Sequence, residues 1–364
     1  MVCRCHLRLV CRFAQSSQNI PQQTLSLIRR YTGSLSHDQS SPDPAGLSGF
    51  LEKIKRKETK GLPIIHHHKY VSRLPLSHRF AMRKFHGVLR FLRTDGVISM
   101  NQVVAPDKIS PEAASLVHHP DYIHRFFSGQ TTPQEQKMTG FPWTECLVDR
   151  CRYETGGTLL AAQIALERGL ACSTGGGTHH AYPGYGSGYC LINDMAVAAA
   201  ALLHSNTVQR VLIVDLDVHQ GDGTALIFDE DNRVFTFSMH CQNNFPSKKQ
   251  TSDLDIGLSV GTEDWEYMQL LEGHLPWIVD TFRPDLVLYD AGVDPHARDE
   301  LGRLRLTDQG LFDRDYYVLK LMASRGVPCA TVIGGGYCRN LDELSLRHTL
   351  VHRAATKVWN EQAL

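Results

Sequence analysis

Four ionisable side chains follow an apolar run within residues 211–223, VLIVDLDVHQGDG. They are Asp215, Asp217, His219 and Asp222. The apolar, mostly β-branched residues before them predict a buried parallel strand, and open α/β sheets bind their ligands at the carboxyl ends of such strands. Residues 215, 217 and 219 share a parity, so an extended backbone would aim their side chains to one side. Asp217 and His219 are therefore candidate ligands of a metal ion.

A second loop, residues 173–190, presents two adjacent histidines, His179 and His180. Its glycines do not form a dinucleotide-binding fingerprint, because a histidine stands where the third glycine belongs. A serine-hydrolase elbow is also excluded, because Ser187 lacks the flanking G-x-S-x-G. Imidazole groups titrate near neutral pH, so a tandem pair that faces carboxylates is suited to proton transfer. A buried core histidine is the alternative.

Two further loops offer a third metal ligand and a hydrogen-bond donor. Residues 289–302, YDAGVDPHARDELG, contain Asp290, Asp294 and His296. A catalytic metal needs a third protein ligand and an open position for water, and Asp294 is the candidate, with a turn or N-cap aspartate as the alternative. Residues 333–340, IGGGYCRN, place Tyr337 on a glycine-rich turn. Its hydroxyl could bind a developing oxyanion, while simple packing is its alternative role.

These loops belong to a chain in which strands alternate with helices. We expect strands at 63–65, 170–172, 211–215, 233–239, 285–290 and 328–333, and helices at 78–92, 111–117, 121–127, 145–168, 193–204, 264–282, 308–324 and 341–359. The alternation predicts right-handed crossovers and one mainly parallel sheet with helices on both faces. His66, His67 and His68 follow the first strand, but adjacent strand residues point to opposite faces, so we predict no metal site there.

Composition excludes several classes of protein. At 364 residues with 42% hydrophobic content, the chain can fill one large α/β core. We expect no membrane span, because no run of eighteen or more apolar residues occurs. Residues 1–37 hold five arginines and no acid, which leaves 33 basic against 38 acidic residues in the rest. We expect no direct nucleic-acid binding by a body of that sign. Ten scattered cysteines without a CxxC pair indicate a reducing compartment.

The amino-terminal segment differs from the rest. Residues 1–36 are Arg-rich and acid-free, with apolar side chains at helical spacing, which is typical of a mitochondrial transit peptide. A disordered leader on a cytoplasmic or nuclear protein is the alternative. Residues 34–48 have the Ser, Pro and Gly content of a linker. We therefore expect a leader and linker over 1–48 and a single catalytic domain over 50–362.

Four motifs in this order make the sequence similar to the zinc-dependent deacetylases of the histone deacetylase and acetoin-utilisation superfamily. They are GGGTHHAYPGYGSGYCLIND, VDLDVHQGDGT, DAGVDPHARD and IGGGY, and SHRF at 77–80, HPDY at 119–122 and TGGT at 155–158 support them. The resemblance extends from about residue 62 to 358. The segments SVGTEDWEY and LGRLRLTDQG resemble the class IV branch and its bacterial relatives more than class I.

The resemblance implies an arginase-deacetylase fold, in which helices flank both faces of an eight-stranded, mainly parallel sheet. It implies one catalytic Zn²⁺, and it allows a structural monovalent cation in addition. The ligand types would also accept Fe²⁺ or Co²⁺. The implied roles are metal ligation by Asp217, His219 and Asp294, general base and acid catalysis by His180, electrostatic support by His179, orientation of these histidines by Asp222 and Asp215 respectively, and carbonyl binding by Tyr337.

The resemblance also implies a narrow aromatic substrate channel. Tyr189 stands where the family commonly has phenylalanine, Phe245 matches the opposite wall, and the carbonyl of Gly188 is available to the substrate amide. No counterpart of the rim aspartate of class I enzymes is apparent, which weakens a histone assignment. The expected activity is hydrolysis of acetyl- or acyl-lysine in proteins by metal-activated water. Small acylated amines such as acetylpolyamines are the second substrate class, and an inactive binding protein on the same fold is an alternative of another kind.

Overall fold

The computed structural model describes residues 60–75 and 77–364, which contain one eight-stranded sheet. All neighbouring strands are parallel, in the order β2-β1-β3-β8-β7-β4-β5-β6. The strands are β1 (Ile64–Ile65), β2 (Val103–Val104), β3 (Leu170–Ser173), β4 (Val211–Asp215), β5 (Val234–Cys241), β6 (Leu254–Leu258), β7 (Leu286–Asp290) and β8 (Cys329–Val332). The α/β fold class with a parallel sheet is thus confirmed.

The described residues also form eleven α-helices and two short 3₁₀ helices, His68–Tyr70 and Met100–Gln102. The α-helices are α1 (Lys84–Thr94), α2 (Pro111–Ala114), α3 (Pro120–Ser128), α4 (Pro133–Thr139), α5 (Glu145–Arg168), α6 (Asp194–His204), α7 (Asp222–Ile227), α8 (Asp264–Phe282), α9 (Asp308–Ser324), α10 (Leu341–Arg347) and α11 (Leu350–Gln362). Among these residues, no helix is both long and apolar enough to cross a lipid bilayer.

Strand β4 lies in the interior of the sheet, between β5 and β7. All five of its residues are buried, which explains why its sequence is a continuous apolar run rather than an alternating one. Its last residue, Asp215, pairs in register with Asp290 of β7 and Ser238 of β5. Strands β4 and β7 therefore end at the same level, whereas β5 continues to Cys241, and the loops that follow β4 and β7 meet at one edge of the sheet.

The longest helix, α5, approaches its neighbours closely through a glycine pair. A Cβ added to Gly156 would lie 2.0 Å from the backbone oxygen of Asp107, and one added to Gly157 would lie 1.9 Å from the hydroxyl of Tyr70. Only glycine fits at these two contacts. The apolar, Ala-rich helix α6 is buried along most of its length, as its sequence predicts.

Several predicted boundaries are correct and others need correction. Strand 211–215 and helices 145–168, 264–282 and 308–324 have the predicted bounds. The helix predicted at 78–92 begins only at Lys84, because residues 78–83 form turns in which the Phe80 backbone N–H donates to the His78 ring. The segment 341–359 is two helices, because Thr349 donates through both its N–H and its hydroxyl to the Leu346 carbonyl and tightens the turn.

The helix predicted at 111–117 ends at Ala114, and the short elements β2, β6, α4 and α7 were not predicted. The triple histidine lies beyond strand β1, which ends at Ile65. The His66 ring bonds Thr174 at 2.7 Å, whereas the His67 ring stacks on Tyr153 and lies 4.3 Å from the His68 ring. The predicted leader and linker over 1–48, and the predicted domain start at 50, lie outside the described residues.

Candidate active site

A buried group of two carboxylates and one imidazole lies at the carboxyl edge of the sheet. Asp217 and His219 follow β4, and Asp294 follows β7; their exposed fractions are 1%, 6% and 0%. The Nδ1 atom of His219 lies 3.0 Å from Asp217 Oδ1 and 3.2 Å from Asp294 Oδ2. One ligand atom from each residue lies within 4.8 Å of the others. The structure thus brings together the three residues predicted to hold a metal.

The hydrogen bonds of this group leave room for one cation. Asp217 Oδ2 accepts from the Gly335 N–H and Asp294 Oδ1 from the Val218 N–H, each at 2.8 Å. Asp294 Oδ2 is buried and, although His219 Nδ1 lies 3.2 Å away, it accepts no well-formed hydrogen bond from the described residues. Burial and the charge of Asp217 raise the pKa of Asp294. The group thus consists of an imidazole and two desolvated carboxylates, one of which has an unpaired oxygen. This set of ligand atoms fits a divalent metal.

Glycine at position 335 is required by this arrangement. A Cβ at Gly335 would lie 2.2 Å from Asp294 Oδ2 and 2.5 Å from Asp217 Oδ2. The loop after β8 can therefore press its backbone against both carboxylates only because no side chain intervenes. The same glycine-rich loop carries Tyr337 to the site.

Beside the metal-ligand group, the tandem histidines form two histidine–aspartate pairs. His179 Nδ1 donates to Asp215 Oδ2 at 2.7 Å, and His180 Nδ1 donates to Asp222 Oδ1 at 2.6 Å. The two Nε2 atoms lie 3.1 Å apart. The carboxylates fix both rings, so that both Nε2 atoms point into the same space. The pairing predicted for each histidine is the one observed.

The two histidines differ in their electrostatic surroundings. Burial and the neighbouring His179 ring lower the pKa of His180 to about 4, so His180 is neutral near pH 7. Burial also disfavours a charged His179, but the carboxylates of Asp215 and Asp217 outweigh it and raise the pKa of His179 well above its ordinary value. The site therefore holds one neutral imidazole that can accept a proton and one that remains protonated.

Tyr337 completes this side of the site. It is 9% exposed, its ring lies 6.3 Å from that of His219, and its backbone N–H donates to Asp299 Oδ2 at 2.6 Å. Burial raises the pKa of Tyr337 well above its ordinary value, and the charge of Asp217 adds to the effect. The hydroxyl therefore stays protonated and can donate a hydrogen bond to an oxygen atom bound beside the carboxylates.

Aromatic rings surround the entrance to the site. Tyr189 has a positive φ of 66° and packs against Phe80 and Phe141, with ring centroids 5.5 Å apart in each case. Phe245 is 42% exposed and lies edge-on to His180 at 4.8 Å. Gly188 precedes Tyr189 in the chain and lies close to Phe245: a Cβ added to Gly188 would lie 3.0 Å from the Phe245 ring. These three residues are at the site, as predicted.

One predicted candidate lies elsewhere, and one essential support was missed. His296 pairs with Asp308 at 3.3 Å and does not reach the histidine pair. Arg314 on α9 is fully buried and donates to the carbonyls of Leu216 and Gly292, at 3.1 and 2.8 Å. It thereby joins the loops after β4 and β7 that carry the metal-ligand group. The adjacent charges of Arg314 and Asp315 on the otherwise apolar face of this helix were the sequence pattern that could have revealed it.

Asp290 lies at the back of the site. It is fully buried, and neither of its carboxylate oxygens has a hydrogen-bond partner among the described residues. One of its oxygens, one of Asp215 and a ring nitrogen of His179 lie within 4.8 Å of one another. Burial, together with the charge of Asp215, raises the pKa of Asp290 well above its ordinary value.

The sequence was also compared with known protein families and proteins. Residues 78–352 match the family model described as the histone deacetylase domain. The chain is 51% identical to an uncharacterized protein of Picosynechococcus sp., over 82% of this chain and all of that protein. It is 30% identical to histone deacetylase 2 of Arabidopsis thaliana, over 72% of this chain and 70% of the relative. It is 31% identical to the acetoin utilization protein AcuC of Staphylococcus aureus, over 71% and 72%.

Among solved structures, the HDA15 HD domain matches with a TM-score of 0.65 at 20% identity, covering 84% of this chain and 95% of that one. This likeness concerns the fold alone. The family match extends over most of the chain, and so the protein belongs to the histone deacetylase family. It is a hydrolase of the amidohydrolase class, in a family whose members are generally metal-dependent.

Proposed function

We propose that this protein is a zinc-dependent deacylase that hydrolyses the amide of acetyl-lysine or longer acyl-lysine in proteins. The observation that carries the proposal is the pair of histidine–aspartate dyads, with Nε2 atoms 3.1 Å apart, beside the buried Asp217, His219 and Asp294 group. Amide hydrolysis needs a proton acceptor, a proton donor and stabilisation of an oxyanion in one place. These side chains supply all three.

Asp217, His219 and Asp294 would hold the metal. Zinc is the metal we propose, because carboxylate and imidazole ligands with an open position are typical of catalytic zinc, although Fe²⁺ or Co²⁺ would suit the same ligands. When bound, the metal supplies a Lewis acid that polarises a carbonyl and lowers the pKa of water.

His180 acts as the general base and acid. Its neutral Nε2 accepts a proton from the attacking water and later returns it to the leaving amine, while Asp222 holds the ring in the tautomer that this transfer requires. His179 remains protonated against Asp215 and stabilises negative charge that develops beside it. The Tyr337 hydroxyl donates a hydrogen bond to the oxyanion that forms from the substrate carbonyl oxygen. An oxyanion donor of this kind contributes on the order of 3–4 kcal/mol in other hydrolases.

The entrance supports a straight alkyl-amine substrate. The rings of Tyr189 and Phe245 provide apolar walls for methylene groups, and the Gly188 carbonyl is available to the amide N–H. Among the described residues, that carbonyl accepts only a weak hydrogen bond, from the Cys190 thiol at 3.5 Å. The hydroxyl of Tyr189 makes this wall more polar than a phenylalanine would.

Small acylated amines are the second substrate class, because the same chemistry and channel would accept an acetylpolyamine. A binding protein without activity is the third candidate. The complete set of ligands, dyads and Tyr337 argues against it.

We further propose the class IV branch as the subgroup, a structural monovalent cation near the sheet edge, and mitochondrial import directed by residues 1–45. A fluorescent fusion of those 45 residues tests the import, and a diffuse cytosolic distribution would contradict it.

A substrate panel on zinc-loaded protein tests the proposed function. The panel contains matched peptides with acetyl-lysine or longer acyl-lysine, together with acetylpolyamines, and release of the free amine is measured. We expect turnover of the peptides and loss of that turnover in Asp217→Ala. Turnover of the acetylpolyamines alone would show that small acylated amines, and not acyl-lysine proteins, are the substrates. Tight zinc binding without turnover of any substrate would support the binding protein.

A further inference from the structure

A large cavity with a basic lining adjoins the active site. It has a volume of about 1180 Å³, and its described lining residues come mainly from 71–75 and 77–83 and from the loop that continues from Tyr337. Phe80 and Tyr337 line this cavity and also the smaller pocket that contains His179 and His180. These two rings are therefore the shared wall between the catalytic groups and the larger cavity.

Four arginines line the larger cavity, which we call the arginine cavity: Arg73, Arg79, Arg83 and Arg339. All four are exposed. Glu300 is the one carboxylate among the described lining residues. Its side chain lies 3.6 Å from the Arg339 guanidinium, and Arg79 donates to its backbone carbonyl at 3.2 Å. The positive charge of the lining is thus only partly balanced.

Arg73 and Arg83 lack such compensation. Within residues 60–75 and 77–364, neither guanidinium forms a hydrogen bond or an ion pair. Elsewhere on the described surface, arginines are commonly paired, as Arg90 is with Asp342 and Arg325 with Asp280. Guanidinium groups that line one cavity without partners repel one another through their like charge, and an anion in the cavity would relieve that repulsion.

The position of this charge is unusual for the chain. After residue 37, acidic residues outnumber basic ones by 38 to 33. Four arginines beside one glutamate therefore form a local reversal of sign, next to the proposed oxyanion donor. Such a reversal attracts negatively charged substrates and orients them during encounter. Arginine also binds carboxylates with two parallel hydrogen bonds, which a lysine cannot provide.

The arginine cavity is close enough to the channel to contact a bound substrate. His78 lines the cavity, its ring lies 6.0 Å from Tyr189 of the channel wall, and it bonds the Gly140 carbonyl at 2.8 Å. A polypeptide whose acyl-lysine occupies the channel would therefore pass near the exposed guanidinium groups.

We propose that the arginine cavity binds a carboxylate carried by the substrate and thereby selects acidic substrates. The carboxylate can come from an aspartate or glutamate that flanks the acyl-lysine, or from an acyl group that itself ends in a carboxylate. This inference rests on the proposed deacylase function and specifies its substrate class. It also provides a role for Arg73, Arg79 and Arg83, which take no part in the proton transfers at His179 and His180.

The test compares four peptides of equal length. Three carry acetyl-lysine with glutamate, glutamine or lysine at the flanking positions, and the fourth carries succinyl-lysine between glutamines. The measurements are KM and kcat at about 50 and 500 mM salt. Two or three exposed ion pairs predict a KM that is about fivefold to tenfold lower for the glutamate peptide than for the glutamine peptide at low salt. The difference shrinks at high salt because the charges are screened.

The matched variants are Arg73→Gln/Arg83→Gln/Arg339→Gln and, as a control, Arg93→Gln, which removes an exposed arginine of α1 outside the cavity. The triple variant is expected to lose the preference in KM, whereas Arg93→Gln retains it. A preference for the glutamate peptide indicates a flanking carboxylate, and a preference for the succinyl peptide indicates the acyl carboxylate.

Equal KM values for all four peptides, or a charge preference that survives in the triple variant, would overturn the inference. Such results would leave the deacylase function intact. If no peptide is hydrolysed, the deacylase function fails. Calorimetric binding of the same peptides then still decides whether the cavity distinguishes carboxylate-bearing peptides from neutral ones.

Discussion

Replacing Tyr337 by phenylalanine removes a single oxygen atom from the site. The ring keeps its contacts, because its packing against Phe80, Tyr189 and His219 does not involve the hydroxyl. Among the described residues, none accepts a hydrogen bond from that hydroxyl, so the free protein loses no internal bond. We therefore expect the free energy of unfolding to change by about 1 kcal/mol or less.

The effect on catalysis should be much larger. If the hydroxyl donates to the oxyanion, its loss reduces kcat by about 10²- to 10³-fold, which corresponds to about 2.7–4 kcal/mol of transition-state stabilisation. Because the interaction strengthens only as charge develops, KM should change by no more than about threefold. Steady-state kinetics on an acetyl-lysine peptide separate the two parameters.

The matched control is Tyr316→Phe, which removes the hydroxyl of a half-buried tyrosine of α9 that donates to Glu361 of α11. Its kcat should equal that of the unmodified protein. A folded Tyr337→Phe variant with kcat reduced less than tenfold would refute the proposed role of the hydroxyl. A rise in KM with unchanged kcat would refute it equally, because that pattern indicates ground-state binding.

Three other changes have defined outcomes. In His180→Ala, loss of the general base should reduce kcat by about 10²- to 10⁴-fold while zinc still binds; full turnover in kinetic assays would remove that assignment. Burial lowers the pKa of His118 from 6.5 to about 4, with both ring nitrogens bonded to backbone groups. The unfolded chain therefore takes up this proton first, and the contribution of His118 to the free energy of unfolding should fall by about 3 kcal/mol as pH drops from 6.5 to about 4. Urea unfolding of His118→Asn should show a smaller pH slope, and an unchanged slope would contradict the reasoning. Arg314→Gln leaves Asp315 buried without its cation and should lower the free energy of unfolding by about 3–5 kcal/mol in the same assay. A decrease of less than about 1 kcal/mol would contradict this role of Arg314.

The parts of the fold that the sequence predicted well are those with an unambiguous hydrophobic pattern. Strand β4 is an apolar run that ends at the first aspartate, and long helices such as α5 and α8 have clear starts and ends. Strand β2 has only two residues, and the edge strand β6 contains Asp255 and Gly257 among its apolar residues. In such short or interrupted segments, pairing with a neighbouring strand decides the structure, and a local pattern does not contain that information.

For the site, the sequence identified the chemical groups better than their geometry. Parity along β4 favoured Asp217 and His219, but which histidine each remaining aspartate orients followed only from the family resemblance. The positive φ of Tyr189 and the burial of Arg314 under two strand ends depend on tertiary contacts. The arginine cavity was not predicted, because Arg339 joins Arg73, Arg79 and Arg83 from a loop more than 200 residues further along the chain.

Metal dependence of amide hydrolysis is the central claim, and one titration tests it most directly. Metal is removed with a chelator, Zn²⁺ is returned in increments, and hydrolysis of an acetyl-lysine peptide is measured alongside bound zinc. We expect activity to vanish without metal and to return in full at one equivalent. Asp294→Asn should bind zinc weakly and remain inactive. Full activity of the metal-free protein, or full activity of Asp294→Asn without bound zinc, would contradict the account.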